Sequence, residues 1–349
     1  SPFKFFFAVM VVIMVLMIIA ERRRSKRLKQ IYIPVNAGVL DLSTCGDYLG
    51  AICQGNKIYL WSWEDLSIDP LEGITPSLPA VVLDSNRVIS GGTGAVNSVK
   101  VSHLRDQRII REIPLGFSSE LISIAVNRER SVLTVLWRGS SIKEPSQKIY
   151  QLTRIDPDEG QADPIITIDK DAGDFQLLHV AISDDGRWAA LLGGQDKEGL
   201  IILVDMSAKK IKWEKTIPGP QQFDKGDFGP KGSWFFAGGE VAMGEDLVLY
   251  KIQTDSGGIL KQIIADKDIV RIVNTTTFYD LAVSGDGRRV AAITSTRKGG
   301  VWDCESGEKI IKGIASAKIA SNVAFGPNSC LLAISGLQTG GKIQIIRLY

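Results

Sequence analysis

Val180-Ala181-Ile182-Ser183-Asp184-Asp185-Gly186-Arg187-Trp188-Ala189-Ala190 and Leu281-Ala282-Val283-Ser284-Gly285-Asp286-Gly287-Arg288-Arg289-Val290-Ala291-Ala292 are two copies of one unit. Each is an apolar strand, a tight Asp-Gly turn, and a second strand of small and branched residues. Asp-Gly suits such a turn because glycine reaches positive φ without a Cβ clash. A third copy is Val323 to Ala333 (VAFGPNSCLLA), a fourth Leu40 to Leu49 (LDLSTCGDYL) and a fifth Asp227 to Phe236 (DFGPKGSWFF). Weaker copies run from Ala80 to Gly92 (AVVLDSNRVISGG) and from Ile122 to Val135 (ISIAVNRERSVLTV).

Seven units in about 319 residues match the four-stranded blade period. A third strand follows each copy: Lys57–Trp61, Ser98–Val101, Lys148–Leu152, Leu200–Val204, Leu247–Tyr250, Gly300–Trp302 and Lys342–Leu348. A fourth is legible at Lys210–Glu214 and Glu308–Lys312. From Ile31 onward the chain shows short apolar strands separated by Gly, Asn, Asp and Ser turns, and no amphipathic helix of convincing length. The expected architecture is all-β: a seven-bladed β-propeller over 31–349, with six or eight blades left open. The strand Ile31–Pro34 is expected to pair with Lys342–Leu348 and close the ring, leaving no open edge between first and last blade.

Val301-Trp302-Asp303-Cys304-Glu305-Ser306-Gly307 resembles the strand end of the WD40-like β-propeller superfamily, with Trp-Asp followed by a Ser-Gly turn. The strand-turn-strand copies are similar to that family's second signature. The resemblance covers about Ile31 to Tyr349 and implies a protein-interaction scaffold. No Gly-His dipeptide occurs, so the family's Asp-His-Ser-Trp hydrogen-bond network does not carry over.

Phe5 to Ala20 (FFFAVMVVIMVLMIIA) carries no charge, and Glu21 to Gln30 (ERRRSKRLKQ) follows it. Residues 1–20 are expected to form a single transmembrane α-helix and 21–30 a basic juxtamembrane linker. Sixteen apolar residues rise only about 24 Å as a helix, short of a hydrocarbon core near 30 Å; Phe3 extends the run while Lys4 snorkels. Arg22, Arg23, Arg24, Lys26, Arg27 and Lys29 are the expected contacts to anionic lipid headgroups, each worth roughly 1 kcal/mol near such a surface. The positive-inside rule then places the propeller on the cytoplasmic side of a single-pass protein.

The overall charge of +2, from 41 basic and 39 acidic residues, conceals an asymmetry. Residues 1–30 hold a local charge of +6, which leaves the remainder at −4. A mildly acidic domain without a basic stripe argues against nucleic acid as a partner. The expected partners are protein subunits of a membrane complex.

Candidate chemistry is sparse. Two histidines, His103 and His179, exclude a three-His metal site, and both read as turn or strand-end residues. Cys45, Cys53, Cys304 and Cys330 form no CxxC pair and read as buried thiols, with a Cys45–Cys330 disulfide left open by the adjacency of their repeats. No cofactor and no catalytic residue is expected. The alternative function is a propeller enzyme, a lactonase-like hydrolase or a quinoprotein-like oxidoreductase, which needs convergent carboxylates, histidines or a cofactor in the central channel. The expected partner surface is the insertion Arg138–Gln147, with Arg138, Lys143 and Glu144, followed by the long connection Asp156–Asp174. Trp63, just past a strand, is the expected exposed aromatic anchor.

Overall fold

The computed structural model describes residues 30–348, apart from 36–37, 55–56, 65, 67, 73–76, 92–97, 107, 116–119, 130, 141–147, 171–174, 243–244, 267–274, 297–298, 313, 315–319 and 337–341. The strands are β1 (Gln30–Pro34), β2 (Val39–Cys45), β3 (Tyr48–Cys53), β4 (Lys57–Ser62) and β5 (Ile68–Glu72). Next come β6 (Ser77–Val82), β7 (Arg87–Gly91), β8 (Ser98–His103), β9 (Arg108–Pro114), β10 (Glu120–Val126), β11 (Leu133–Ser140), β12 (Lys148–Asp156) and β13 (Gln161–Lys170). Then follow β14 (Gln176–Ile182), β15 (Trp188–Gln195), β16 (Glu198–Asp205), β17 (Lys210–Ile217), β18 (Pro220–Phe228), β19 (Trp234–Ala242), β20 (Leu247–Gln253) and β21 (Ile259–Asp266). The last are β22 (Thr275–Thr276), β23 (Phe278–Val283), β24 (Arg289–Thr294), β25 (Gly299–Asp303), β26 (Lys309–Lys312), β27 (Asn322–Phe325), β28 (Leu331–Ser335) and β29 (Lys342–Arg347).

These strands form seven antiparallel sheets, so the fold is a seven-bladed propeller. Blades one to six are the consecutive quartets β2–β5, β6–β9, β10–β13, β14–β17, β18–β21 and β23–β26, with β22 added beside β19. Blade seven is ordered β1-β29-β28-β27, so the first strand of the ring completes its last blade. The first strand of each blade contacts the first strand of the next, from β2 through β6, β10, β14, β18, β23 and β27 back to β2. These seven inner strands line the axis.

The turns follow their chemistry. Gly186 has φ +68° and Gly287 φ +70°. Before each, a serine hydroxyl donates to an aspartate two residues on: Ser183 to Asp185 at 2.6 Å and Ser284 to Asp286 at 2.6 Å. The same hydroxyls accept the backbone N–H of Trp188 and Arg289, both at 2.9 Å, which ties each turn to its returning strand.

The ring seam is a core. Ile33, Leu49, Trp61, Ala324, Ile343 and Ile345 are buried in one cluster joining blades one and seven. Trp63 belongs to it. It is 5% exposed, and its ring lies so near Gly326 that a Cβ there would sit 3.2 Å away. The expected exposed anchor is therefore a buried seam residue: the chain past β4 folds back against the blade-seven turn, a contact between residues far apart in sequence.

Two loop expectations are also corrected. Arg138 is not in an insertion but in β11, which continues to Ser140 and pairs with β12 throughout; Arg138 forms an ion pair with Glu120 of β10. The span Asp156–Asp174 is largely β13, joined to β12 by a tight turn whose Asp158 and Glu159 amides are capped by the Asp156 carboxylate. Lys143 and Glu144 lie outside the described residues, as do the proposed transmembrane helix and Arg22, Arg23, Arg24, Lys26, Arg27 and Lys29. Among the described residues no helix is long and apolar enough to cross a membrane. Cys330 is a free, exposed thiol, which removes the Cys45–Cys330 bridge, while Cys53 and Cys304 are buried thiols.

Ring closure is testable on β1. Ile33 is 4% exposed and Ile31 48%. Ile33→Ala is expected to lower the stability measured by urea unfolding by about 2–5 kcal/mol, the usual cost of such a cavity. Ile31→Ala should change it little. Equal effects of the two would mean that β1 does not occupy this seam.

Candidate functional site

Six of the inner strands break register with their neighbour: β2 before Asp41, β6 between Ser77 and Ala80, β10 before Ser123, β14 before His179, β18 before Lys225 and β23 before Asp280. A bulge adds one residue, bends the strand and re-aims its side chains. Asp41, Pro79, Ser123, His179, Lys225, Asp280 and Asn322 occupy equivalent places in blades one to seven. Six of these seven are polar.

Most of these side chains reach the next blade. Ser123 Oγ accepts from Val180 N at 3.3 Å. His179 Nε2 donates to Gly226 O at 3.3 Å, which places its proton on Nε2 because a carbonyl can only accept. One Asp280 oxygen accepts from Val323 N at 2.7 Å and the other from Leu281 N at 2.8 Å. Asn322 Nδ2 donates to Val39 O at 3.3 Å, bridging the seam. Between blades five and six the connection passes to Asp227, which accepts from Val283 N at 2.7 Å, and to Asp224, which accepts from Thr277 Oγ1 at 3.0 Å.

Among the described residues Asp41 makes no such bridge. The equivalent place in blade two is held by Pro79. Burial and the facing Asp280 push the Asp41 carboxyl up to about 7; its own Leu42 amide and Lys225 oppose this. Burial pushes Asp280 up to about 6, against the pull of the Val323 amide, Lys225 and the Leu281 amide. Burial likewise raises Asp224 and Asp227, and it depresses His179 to about 4 with help from Lys225, so that imidazole is neutral near pH 7.

Above this ring, on the face of the Asp-Gly turns, a cavity of about 360 Å³ opens on the axis. Its walls include Leu42, Val283, Phe325 and Pro327, and Asp280 and Asp227 lie on its lining. Arg128 spans the rim from the β10–β11 turn. Its Nη2 donates to Val283 O at 2.8 Å and Phe228 O at 3.2 Å, and it lies 3.5 Å from Asp184 and 3.6 Å from Asp227. The turn is held by Asn127, whose side chain accepts from Val132 N at 2.9 Å and donates to Asp184 O at 2.7 Å. One guanidinium thus touches blades four, five and six.

His179 was expected at a strand end and instead stands inside β14, facing the axis. The missed signal is a polar residue three positions before the end of an apolar inner strand, repeated from blade to blade. His103 ends β8 and pairs with Asp106 at 3.3 Å, as a turn residue. Among the described residues no cluster of three or more His, Cys, Asp or Glu side chains could hold a metal ion.

No protein-family model and no curated protein matches the chain. Among solved structures 1444 chains match, so the architecture is shared too widely to identify a partner. One is a chain in the crystal structure of a mitotic checkpoint complex, similar over 91% of both chains with a TM-score of 0.65 and 15% identity. At that identity the likeness shows the fold alone: an all-β, seven-bladed propeller.

The axial groups make a signed prediction. In the folded ring Asp41 and Asp280 hold protons that the unfolded chain releases near pH 3.8, so their contribution to stability is lost as pH rises through about 6 and about 7. His179 opposes them, because its depressed folded value makes stability rise with pH from about 4 to 6.5. Asp41→Asn should flatten the decline between about pH 4 and 7, and His179→Gln should steepen it below pH 6.5. Unchanged slopes by urea unfolding would refute this.

Proposed function

We propose that this propeller is an interaction scaffold that holds a protein partner at a membrane. Residues 1–20 are its transmembrane helix and 21–30 a basic segment on anionic headgroups, with the ring on the cytoplasmic side. The observation that carries this reading is how the polar side chains of the axis are used. Ser123, His179, Asp227, Asp280 and Asn322 join one blade to the next, so they serve the rigidity of a platform whose turns face outward at both ends. The solved neighbour named above is a subunit of a protein complex, which fits the same use of the fold.

A second reading, a propeller hydrolase, draws on one observation: two carboxyls with raised proton affinity stand near a cavity on the axis.

β1 gives the scaffold an orientation. Gln30 pairs with Ile346, and the adjoining Leu348 N donates to Cys330 O in the blade-seven turn at 2.7 Å. The chain thus enters the ring on the face that carries Arg128 and the axial cavity. An anchor ahead of Gln30 turns that face toward the bilayer.

Three measurements test the reading. In sealed, right-side-out membranes, added protease should spare 31–349; digestion of the ring would overturn the cytoplasmic placement. Replacing Arg22, Arg23, Arg24, Lys26, Arg27 and Lys29 with Gln should weaken flotation with anionic vesicles, and undiminished flotation would remove the headgroup role. After gentle detergent extraction, a native partner should copurify with the full chain and be lost on reshaping 141–147. Turnover abolished by Asp41→Asn, with no partner at all, would favour the hydrolase.

A further inference from the structure

We propose that the axial cavity is a docking subsite for one basic side chain, lysine or arginine, carried by a protein partner. This rests on the scaffold reading and names the chemistry that the scaffold would grip.

Charge balance argues for a cation. Around the axis Asp41, Asp224 and Asp280 feel the single ammonium of Lys225, and at the rim Arg128 is shared between Asp184 and Asp227. The imidazole of His179 adds no positive charge near neutral pH. Five carboxyls therefore stand against two cations in and around the cavity, two of them, Asp227 and Asp280, on its lining. Burial raises the proton affinity of all five, Asp184 included, so the site holds protons where a fixed cation is lacking. A guest ammonium or guanidinium would replace that protonation with a direct charge pair.

Shape agrees with charge. A basic side chain is an apolar stem ending in a charged head. The cavity has apolar walls from Leu42, Val283, Phe325 and Pro327, with carboxylates on the inner side. Asp280 spends one lone pair per oxygen on backbone amides and keeps acceptor capacity for another donor. The rim already seats a guanidinium: Arg128 rests on the carbonyls of Phe228 and Val283, so peptide oxygens here are aimed to receive N–H donors. Arg128 remains 33% exposed and covers one side of the opening, leaving room beside it.

The site differs from a metal centre, since among the described residues no three His, Cys, Asp or Glu side chains converge closely enough to share an ion.

The test uses the full chain in mild detergent, titrated calorimetrically at pH 7 with a blocked pentapeptide bearing one central Arg or Lys. The central-Gln peptide and free butylamine serve as comparisons. The basic peptides should bind and the Gln peptide should not. Binding should release protons, seen as a heat that changes with the buffer's ionisation enthalpy, because Asp41 ionises against the guest. Asp41→Asn and Asp280→Asn should each weaken binding by about tenfold or more, the scale of a charge-assisted hydrogen bond. Should either variant fold poorly, Ala282→Leu, which narrows the cavity and removes no charge, should block binding. Absence of binding by both basic peptides, or binding indifferent to these changes, overturns the proposal. Butylamine binding as tightly as the peptides also overturns it, since the ligand would then be a small amine. If the peptides fail while the native partner still copurifies, the scaffold stands and this subsite falls.

Discussion

Seven separate sheets become one ring because side chains on the inner strand of one blade bond to the backbone of the next. Each four-stranded blade satisfies its own backbone, so nothing in its internal pairing fixes its neighbour. Apolar packing between blades is strong but non-directional. The contacts of Ser123, His179, Asp227, Asp280 and Asn322 supply direction, since each hydrogen bond is met at one angle and one register only. These bonds stand near a water-reachable channel yet largely inside protein, where leaving a partner unmade costs more than the bond itself yields.

The same requirement accounts for the odd chemistry on the axis. A ring position must carry a polar group to reach its neighbour, so the centre collects carboxyls, an imidazole and an ammonium. At Asp41 no such bond to blade two is seen among the described residues, and burial with the facing Asp280 raises that carboxyl's proton affinity. Where Lys225 takes the position, acceptance shifts to Asp224 and Asp227, which brings two more carboxyls to the channel. The excess negative charge is a by-product of holding the ring together, and it gives the cavity above it a preference among guests.

Much of this was legible in the chain. Seven repeats, their third strands and the Asp-Gly turns follow from local patterns, because hairpins are made from contiguous residues, and the partnership of the first and last strands follows from the strand count, since a closed ring leaves one strand at each end to pair. The axial ring was not legible. A bulge breaks the period of two on which strand reading depends, so His179 looked like a residue before its strand and not a residue within it. Trp63 was misjudged for another reason: its burial depends on Gly326, more than 250 positions later, and no local pattern carries that information. Arg138, Gly139 and Ser140 are polar enough to resemble a loop, yet pairing of Arg138 with β10 and of all three with β12 keeps them in β11.

The place of β1 also sets the order in which the molecule can be finished. The ribosome makes this strand before any blade, and its partner β29 only after the other six are complete. Six blades can form hairpin by hairpin from neighbouring residues as they emerge, whereas the seventh joins residues about three hundred positions apart. Until then β1 and the inner face of β2 wait as exposed apolar surface, a condition that favours association with other nascent chains. The final step is a single long-range closure, slow by its topology. A mutation at the seam therefore acts on the yield of finished rings as well as on their stability.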